Sequence, residues 1–125
     1  MKRIAFILSF VLISLFSICN AQTCESKASA MARQFGYYAA FGDAVKASMV
    51  VSPNNDITPY VNRFKTEIDE LGGIDKIIVE SEEVMNENEM KVSLMFVCKK
   101  EDTAVHKTYI LVKENNSWKI AMDKL

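Results

Sequence analysis

The sequence predicts an α+β domain in which N-terminal helices pack on a curved, four-stranded antiparallel meander. Between residues 26 and 71, apolar residues recur at positions i, i+3, i+4 and i+7, which is helical spacing. From residue 74 to residue 123 the apolar residues alternate with polar ones, as they do in strands with one buried face. Because the links between these strands are short, we expect neighbouring strands to pair antiparallel.

A segment with the composition of a signal peptide, residues 1–21, precedes this domain. Lys2 and Arg3 form a positive n-region, residues 4–18 are almost entirely apolar, and Ala21 ends a small-x-small motif that suits cleavage. The apolar run is shorter than the roughly 20 residues that a membrane-spanning helix needs. A retained membrane anchor and lipid attachment at a cysteine are the alternatives. We expect cleavage after Ala21, export to the periplasm or the cell exterior, and no membrane association after cleavage.

Residues 22–125 are long enough for one domain with one core and too short for two. The full chain carries a net charge of −1, and removal of the basic signal segment makes the remainder more acidic. Acids and bases are interspersed without a basic face, so nucleic acid is not an expected partner. We expect no cofactor, because the glycines form no phosphate-binding or dinucleotide-binding pattern.

The first two predicted helices are separated by a short break. The first spans residues 26–41, Gly42 suits the position after its end, and Asp43 suits the N-cap of a short helix that reaches about Val50. Residues 52–56 have the composition of a loop.

The third predicted helix spans residues 59–71. Thr58 and Pro59 are typical of an N-cap and a first helical residue. Gly72 and Gly73 end this helix, and the strands follow.

Four strands are predicted at residues 74–85, 91–100, 105–113 and 118–123. Asn115 and Asn116 suit a two-residue type I′ turn, because asparagine tolerates positive φ. With an even number of residues in the preceding loop, the expected pairs are Leu111–Ile120, Tyr109–Met122, Leu94–Tyr109 and Val92–Leu111. The inner face then holds Val92, Leu94, Phe96, Cys98, Tyr109, Leu111, Trp118, Ile120 and Met122. An odd loop would reverse the faces of the second strand.

Three segments carry a resemblance to a known family: the helix break Phe41-Gly42-Asp43, the helix exit Leu71-Gly72-Gly73 and the closing strand Asn116-Ser117-Trp118-Lys119-Ile120. Together they resemble the small exported bacterial proteins called domain of unknown function 4878, within the nuclear transport factor 2-like, cystatin-like superfamily. The resemblance covers about residues 26–123 and implies a cone, in which a curved sheet wraps around the helices and leaves a pocket at its open end. The superfamily contains isomerases, dehydratases, small-molecule binders and assembly domains, so it implies no catalytic residues here.

No catalytic set is expected in the sequence. An isomerase of this fold needs an acid or base that faces the pocket, and the predicted inner face is apolar. The run Glu80, Glu82 and Glu83 is typical of a solvated strand edge. His106, the only histidine, is predicted on the outer face near Val97, so neither a catalytic triad nor a metal site is expected.

Candidate ligand-binding residues are aromatic side chains that could line the pocket of the cone. They are Tyr38, Tyr60, Phe64 and Trp118. The alternative is that these aromatics belong to the core, as most aromatics at helical or strand spacing do.

Two cysteines, Cys24 and Cys98, remain after cleavage of the signal segment. They could form a disulfide in an oxidising compartment, and the alternative is two unrelated thiols.

The predicted outer face of the sheet is more apolar than a solvated face should be. It carries Met95, Val97, Ile110 and Val112. We expect a homodimer through this face, whereas the alternative is that β-branched residues are favoured in strands whether covered or not.

The sequence therefore predicts an exported, non-enzymatic domain that binds a small apolar or amphipathic ligand or serves as a protein-interaction module. The alternative is an enzyme of the ketosteroid-isomerase kind acting on a small apolar substrate. An enzyme requires an ionisable group in the pocket with a perturbed pKa, whereas a binder requires only an apolar cavity.

Overall fold

Helices cover one face of a five-stranded sheet in a computed structural model that describes residues 26–125. The elements are α1 (Lys27–Ala40), α2 (Ala44–Met49), β1 (Val51–Ser52), α3 (Thr58–Glu70), β2 (Ile74–Asn86), β3 (Glu89–Cys98), β4 (Ala104–Glu114), β5 (Ser117–Ala121) and a 3₁₀ turn (Met122–Lys124). The strand order is β1-β5-β4-β3-β2, which confirms the predicted α+β class. The predicted signal peptide, residues 1–21, lies outside the described residues. Within residues 26–125, no helix has the length and apolarity needed to cross a membrane.

The predicted Gly42 at the end of α1 and the predicted Asp43 cap of α2 are confirmed, whereas Ser26, which the sequence placed inside the first helix, is its N-cap. The Ser26 hydroxyl accepts a hydrogen bond from the Ser29 backbone N–H at 3.1 Å, which begins α1. Gly42 follows α1 with a φ of +79°, a conformation that costs glycine little. The Asp43 carboxylate accepts from the Lys46 backbone N–H at 3.1 Å and so caps α2.

The start of α3 differs by one residue from the prediction. Thr58 is the first helical residue rather than the N-cap, which is Ile57. The Asp56 carboxylate accepts from the Thr58 backbone N–H at 2.9 Å and so satisfies a donor at the helix start. Gly72 and Gly73 have φ values of +88° and +91° and end the helix as expected.

The sheet has a short fifth strand that the sequence pattern did not predict. In β1, Val51 pairs parallel with Ile120 of β5, so the sheet is mixed rather than purely antiparallel. A strand of two residues is too short for alternation to identify, and the sequence placed Ser52 in a loop.

The hairpin between β4 and β5 has the predicted turn. Asn115 and Asn116 have φ values of 51° and 64°, as a type I′ turn requires. Leu111 lies opposite Ile120, which confirms the register of this hairpin.

The hairpin between β3 and β4 is shifted by two residues from the prediction. The sequence predicts Leu94–Tyr109 and Val92–Leu111, whereas the structure pairs Val92–Tyr109 and Met90–Leu111. The loop is longer than expected, since the Cys98 N–H donates to the Thr103 carbonyl at 3.1 Å and closes the hairpin there. A shift of two residues leaves every side chain on its predicted face. The predicted pair Tyr109–Met122 does not form, because β5 ends at Ala121.

The core lies between the inner face of the sheet and the helices. Its largest fully buried side chains include Phe35, Phe96, Ile68, Leu94, Leu111 and Ile120. Gly36 permits this packing, because a Cβ there would lie 2.9 Å from the Phe96 ring. Trp118, by contrast, is only partly buried against the core.

Glu80, Glu82 and Glu83 are exposed and lie on β2, the edge strand of the sheet, which confirms the predicted solvated strand edge; each carboxylate also has a polar partner. The register shifts at Glu80, so that Glu82, opposite Val92, faces the helices. The Glu82 carboxylate accepts hydrogen bonds from the hydroxyls of Ser26 and Ser29 at the start of α1. Glu80 contacts His106 at 3.0 Å, and Glu83 lies 3.5 Å from Lys91.

Candidate functional site

A groove with a volume of about 340 Å³ opens between α3 and β4. Its walls are formed by Tyr60, Arg63, Phe64, Glu67, Lys107 and Leu125. This volume is within the range of small-molecule sites. The groove contains two of the four predicted ligand-binding residues, Tyr60 and Phe64, and we call it the α3–β4 groove.

The backbone geometry explains why these side chains meet. Tyr60, Phe64 and Glu67 are spaced i, i+4 and i+7 along α3 and therefore share one side of the helix. Lys107 lies two residues before Tyr109 on β4, so both belong to the inner face of the sheet.

The aromatic wall of the groove rests on the core. The Phe64 ring meets the Phe96 ring edge to face, with the ring centroids 4.8 Å apart. The Tyr60 ring stacks on Phe64 at 6.2 Å and on Phe35 at 6.0 Å. Because Phe35, Phe64 and Phe96 are buried, the packing of the core holds these rings in place.

The charged wall of the groove carries two cations and one anion. The Lys107 Nζ atom lies 5.4 Å from the centroid of the Phe64 ring and 3.5 Å from the Glu67 carboxylate. About a third of the Lys107 side chain and half of the Glu67 side chain are exposed. Arg63 is the second cationic side chain that lines the groove.

Two tyrosine hydroxyls form a pair beside the groove. The oxygens of Tyr60 and Tyr109 are 2.7 Å apart, and Tyr109 is only 3% exposed. Burial raises the pKa of Tyr109 well above its ordinary value, and it also raises the pKa of Tyr60. The Glu67 charge adds to both pKa increases. Both phenols are therefore neutral near pH 7 and can donate hydrogen bonds.

The other two predicted ligand-binding residues lie elsewhere. Tyr38 borders a second groove of about 370 Å³, and its hydroxyl accepts from the Gln34 amide at 2.6 Å. Trp118 lies opposite Lys113, whose Nζ is 5.9 Å from the indole ring. Lys113 is four residues beyond Tyr109 on β4, or roughly 13 Å along the strand. The structure thus brings Tyr60 and Phe64 together and places Tyr38 and Trp118 outside their groove; a ligand-binding role for any of the four stays a prediction.

Sequence reasoning missed the charged residues of the groove. The alternation Val105, Lys107, Tyr109 indicates that Lys107 shares the inner face. The prediction assigned this face from apolar and aromatic residues and therefore left Lys107 out. Glu67 lies seven residues after Tyr60 and therefore projects from the same side of α3.

Cys98 is a buried thiol at the end of β3. Burial raises its pKa, and the Glu67 charge adds to this effect. Cys24 lies outside the described residues, so the disulfide between Cys24 and Cys98 stays a prediction. Among residues 26–125, no group of three or more His, Cys, Asp or Glu side chains is placed to hold a metal ion.

The outer face of the sheet carries the four apolar residues predicted there, each partly exposed: Met95, Val97, Ile110 and Val112. A hydrogen-bonded row of Ser93 and Thr108, with 3.0 Å between the hydroxyls, separates the first two from the last two. His106 lies on this face as predicted, but it lies opposite Met95 instead of beside Val97 because of the register shift.

Comparisons with known proteins show similarity in structure and none in sequence. No family model and no curated protein matches the chain. A crystal structure from Campylobacter jejuni, provisionally named a nuclear transport factor 2-like transpeptidase, matches with a TM-score of 0.70 and 16% identity. The match covers 78% of this chain and 99% of that one.

A second solved structure is similar over most of its length. It is the solution structure of a SEC-C motif-containing protein from Rhodopseudomonas palustris, with a TM-score of 0.55 and 13% identity. The match covers 80% of each chain. At these identities the similarity concerns the fold alone, and the chain has the nuclear transport factor 2-like α+β fold.

Proposed function

We propose that this domain binds a small amphipathic ligand in the α3–β4 groove. The apolar part of the ligand lies against Tyr60 and Phe64, and an anionic group lies at Lys107 and Arg63. The observation that carries this proposal is a groove of small-molecule volume that combines an aromatic wall with two cations.

The state of Lys107 supports an anionic ligand group. Its distance of 3.5 Å from Glu67 is longer than the roughly 2.7–2.9 Å of a strong charge-assisted hydrogen bond. Exposed ion pairs of this kind contribute about 0–1 kcal/mol, so a ligand carboxylate competes with Glu67 at little cost. The Phe64 ring holds the ammonium group at the groove through a cation–π contact.

Calorimetric titration of the mature chain with 2-naphthoate, an aromatic anion, tests this proposal. We expect saturable binding that Lys107→Gln weakens severalfold and that Glu67→Gln strengthens. The matched control is Lys113→Gln, because Lys113 also lies on β4 with its ammonium group near an aromatic ring. Absence of binding, or equal weakening by Lys107→Gln and Lys113→Gln, would contradict the proposal.

A binding function is better supported than proton-transfer catalysis. The Tyr60 hydroxyl is a suitable donor to an oxyanion, but a catalytic base is expected in a desolvated position. The carboxylate of the groove, Glu67, is about half exposed and lies beside Lys107. The transpeptidase name of the Campylobacter protein finds no support in Cys98, since a buried thiol with a raised pKa disfavours the reactive thiolate.

We also propose that the chain forms a homodimer through Met95, Val97, Ile110 and Val112. The support is four partly exposed apolar side chains on the side of the sheet away from the helices, two on either side of the Ser93–Thr108 row. Sedimentation of the mature chain beside a Val97→Lys, Val112→Lys variant tests this. Dissociation of a wild-type dimer by the two lysines is expected, and a monomeric wild type at micromolar concentration would refute the dimer.

We also propose that the protein is exported, that it is cleaved after Ala21 and that it belongs to domain of unknown function 4878. The signal-like residues 1–21 support export, and the positive φ of Gly42 beside the Asp43 cap agrees with the resembled helix break. The intact mass of the exported protein tests the cleavage, since it should correspond to a chain that begins at Gln22. A mass that retains residues 1–21, or that includes an acyl group, would refute it.

A further inference from the structure

Burial determines which of the two hydroxyls, Tyr60 or Tyr109, donates the hydrogen bond between them. Only one of two hydroxyls can donate to the other, and the second proton then needs a different acceptor. Within residues 26–125, each hydroxyl has the other as its hydrogen-bond partner. If Tyr60 donated, the proton of Tyr109, which is 3% exposed, would be buried without an acceptor. Tyr109 therefore donates, and the remaining O–H belongs to Tyr60 at the wall of the groove.

The electrostatics of the pair agree with this direction. Burial is the main cause of the raised pKa of both tyrosines. The hydrogen bond between them shifts the two pKa values in opposite directions. It lowers the pKa of Tyr60 and raises that of Tyr109, as expected when Tyr109 is the donor. A phenol oxygen that accepts a hydrogen bond is in turn a stronger donor, because chains of hydrogen bonds polarise one another.

We propose that the Tyr60 hydroxyl donates a hydrogen bond to a carbonyl oxygen on the apolar part of the ligand, with Tyr109 as the residue that positions it. This inference rests on the proposed function, because it requires a ligand in the α3–β4 groove. It narrows the ligand class to amphipathic anions that carry a carbonyl group on their aromatic or aliphatic part.

A neutral acceptor fits this position better than a second anion. The Glu67 charge raises the pKa of both tyrosines, and at Tyr60 its effect is larger than the opposite effect of Arg63, so additional negative charge near the hydroxyl pair is disfavoured. The cations of the groove, Lys107 and Arg63, are the partners for the anionic end. The two ends of the ligand are thus distinguished by the side chains that they meet.

Two matched probes test the inference: 6-acetyl-2-naphthoate and 6-ethyl-2-naphthoate. They share the anion and the ring system and differ in the carbonyl oxygen. We expect the mature chain to bind the acetyl compound about fivefold to tenfold more tightly, which is the scale of one net hydrogen bond. Tyr60→Phe should reduce this ratio to about one, because the acetyl compound loses its hydrogen bond and the ethyl compound has none to lose.

Tyr109→Phe separates positioning from a merely structural role. A positioning role predicts an intermediate ratio, because only the acetyl compound depends on the Tyr60 hydroxyl, whereas a structural role would weaken both probes equally and leave the ratio as in the wild type. If the two probes bind equally to the wild type and both depend on Lys107, the proposed function stands and this inference is overturned. If neither probe binds, the proposed function itself is refuted. A ratio that survives Tyr60→Phe also overturns the inference.

Discussion

The hydroxyl pair of Tyr60 and Tyr109 predicts an asymmetric pattern of stability that requires no ligand. Tyr60→Phe removes the acceptor of a buried donor, and an unsatisfied buried polar group costs about 1–3 kcal/mol. Tyr109→Phe removes the donor and leaves the Tyr60 hydroxyl at the groove, where water can replace the lost partner. Its cost is therefore that of one net hydrogen bond, about 0.5–1.5 kcal/mol.

The double variant makes the test sharper. When apolar groups of the same shape replace both partners, no buried group is left unsatisfied. The double variant should therefore be more stable than Tyr60→Phe alone, which is strong non-additivity between two residues in contact.

Urea unfolding of the mature chain measures these differences. For a domain of this size, 1 kcal/mol corresponds to roughly 4–8 °C in Tm, so thermal melts give an independent measurement. Tyr37→Phe is a matched control, because the Tyr37 ring stacks on Phe41 at 6.2 Å and its hydroxyl has no hydrogen bond within residues 26–125. It should change stability by less than about 0.5 kcal/mol. A larger cost for Tyr109→Phe than for Tyr60→Phe, or additive costs, would refute the assigned direction.

Two further predictions concern pH and the start of α1. Because the folded-state pKa values of Tyr60 and Tyr109 are raised, their contribution to stability is complete below about pH 10 and is lost at higher pH, where the unfolded tyrosines ionise first. Urea midpoints between about pH 9 and 11 should fall less steeply for the double phenylalanine variant, and parallel slopes would contradict this. Glu82→Gln should cost about 1 kcal/mol in thermal melts, since Glu82 accepts from two serine hydroxyls at the helix start. The control Glu83→Gln should change little, and equal costs would show that the Glu82 bonds do not stabilise the fold.

The parts of the fold that the sequence predicted correctly depend on local backbone rules. Gly42, Gly73 and Asn116 occupy positive φ, which few residues adopt without strain, so each indicates where a helix or strand ends. Asp43 caps α2 through its own side chain. Such signals act over a few residues and are therefore visible in a sequence.

The parts that the prediction missed depend on longer-range geometry. The loop between β3 and β4 requires a positive φ at Asp102, but aspartate alone does not fix the loop length. The register shift at Glu80 has no distinctive residue type, and it decides that Glu82 faces the helices. The strand β1 exists only because β5 lies beside it.

In the candidate site, too, the sequence indicates residue types but does not show which residues meet across the fold. Aromatic character identified Tyr60 and Phe64, but it equally identified Tyr38 and Trp118, which lie outside the groove. Contacts between α3 and β4 place Lys107 beside the aromatic wall, and no spacing within one segment encodes that contact.

Intermolecular nuclear Overhauser effects between the ring protons of 6-ethyl-2-naphthoate and the mature chain test directly whether the ligand binds in the α3–β4 groove. Binding in this groove predicts contacts to the side chains of Tyr60 and Phe64. Contacts instead to Val45 and Met49, which are 75% and 60% exposed and border a separate groove on α2, would contradict it.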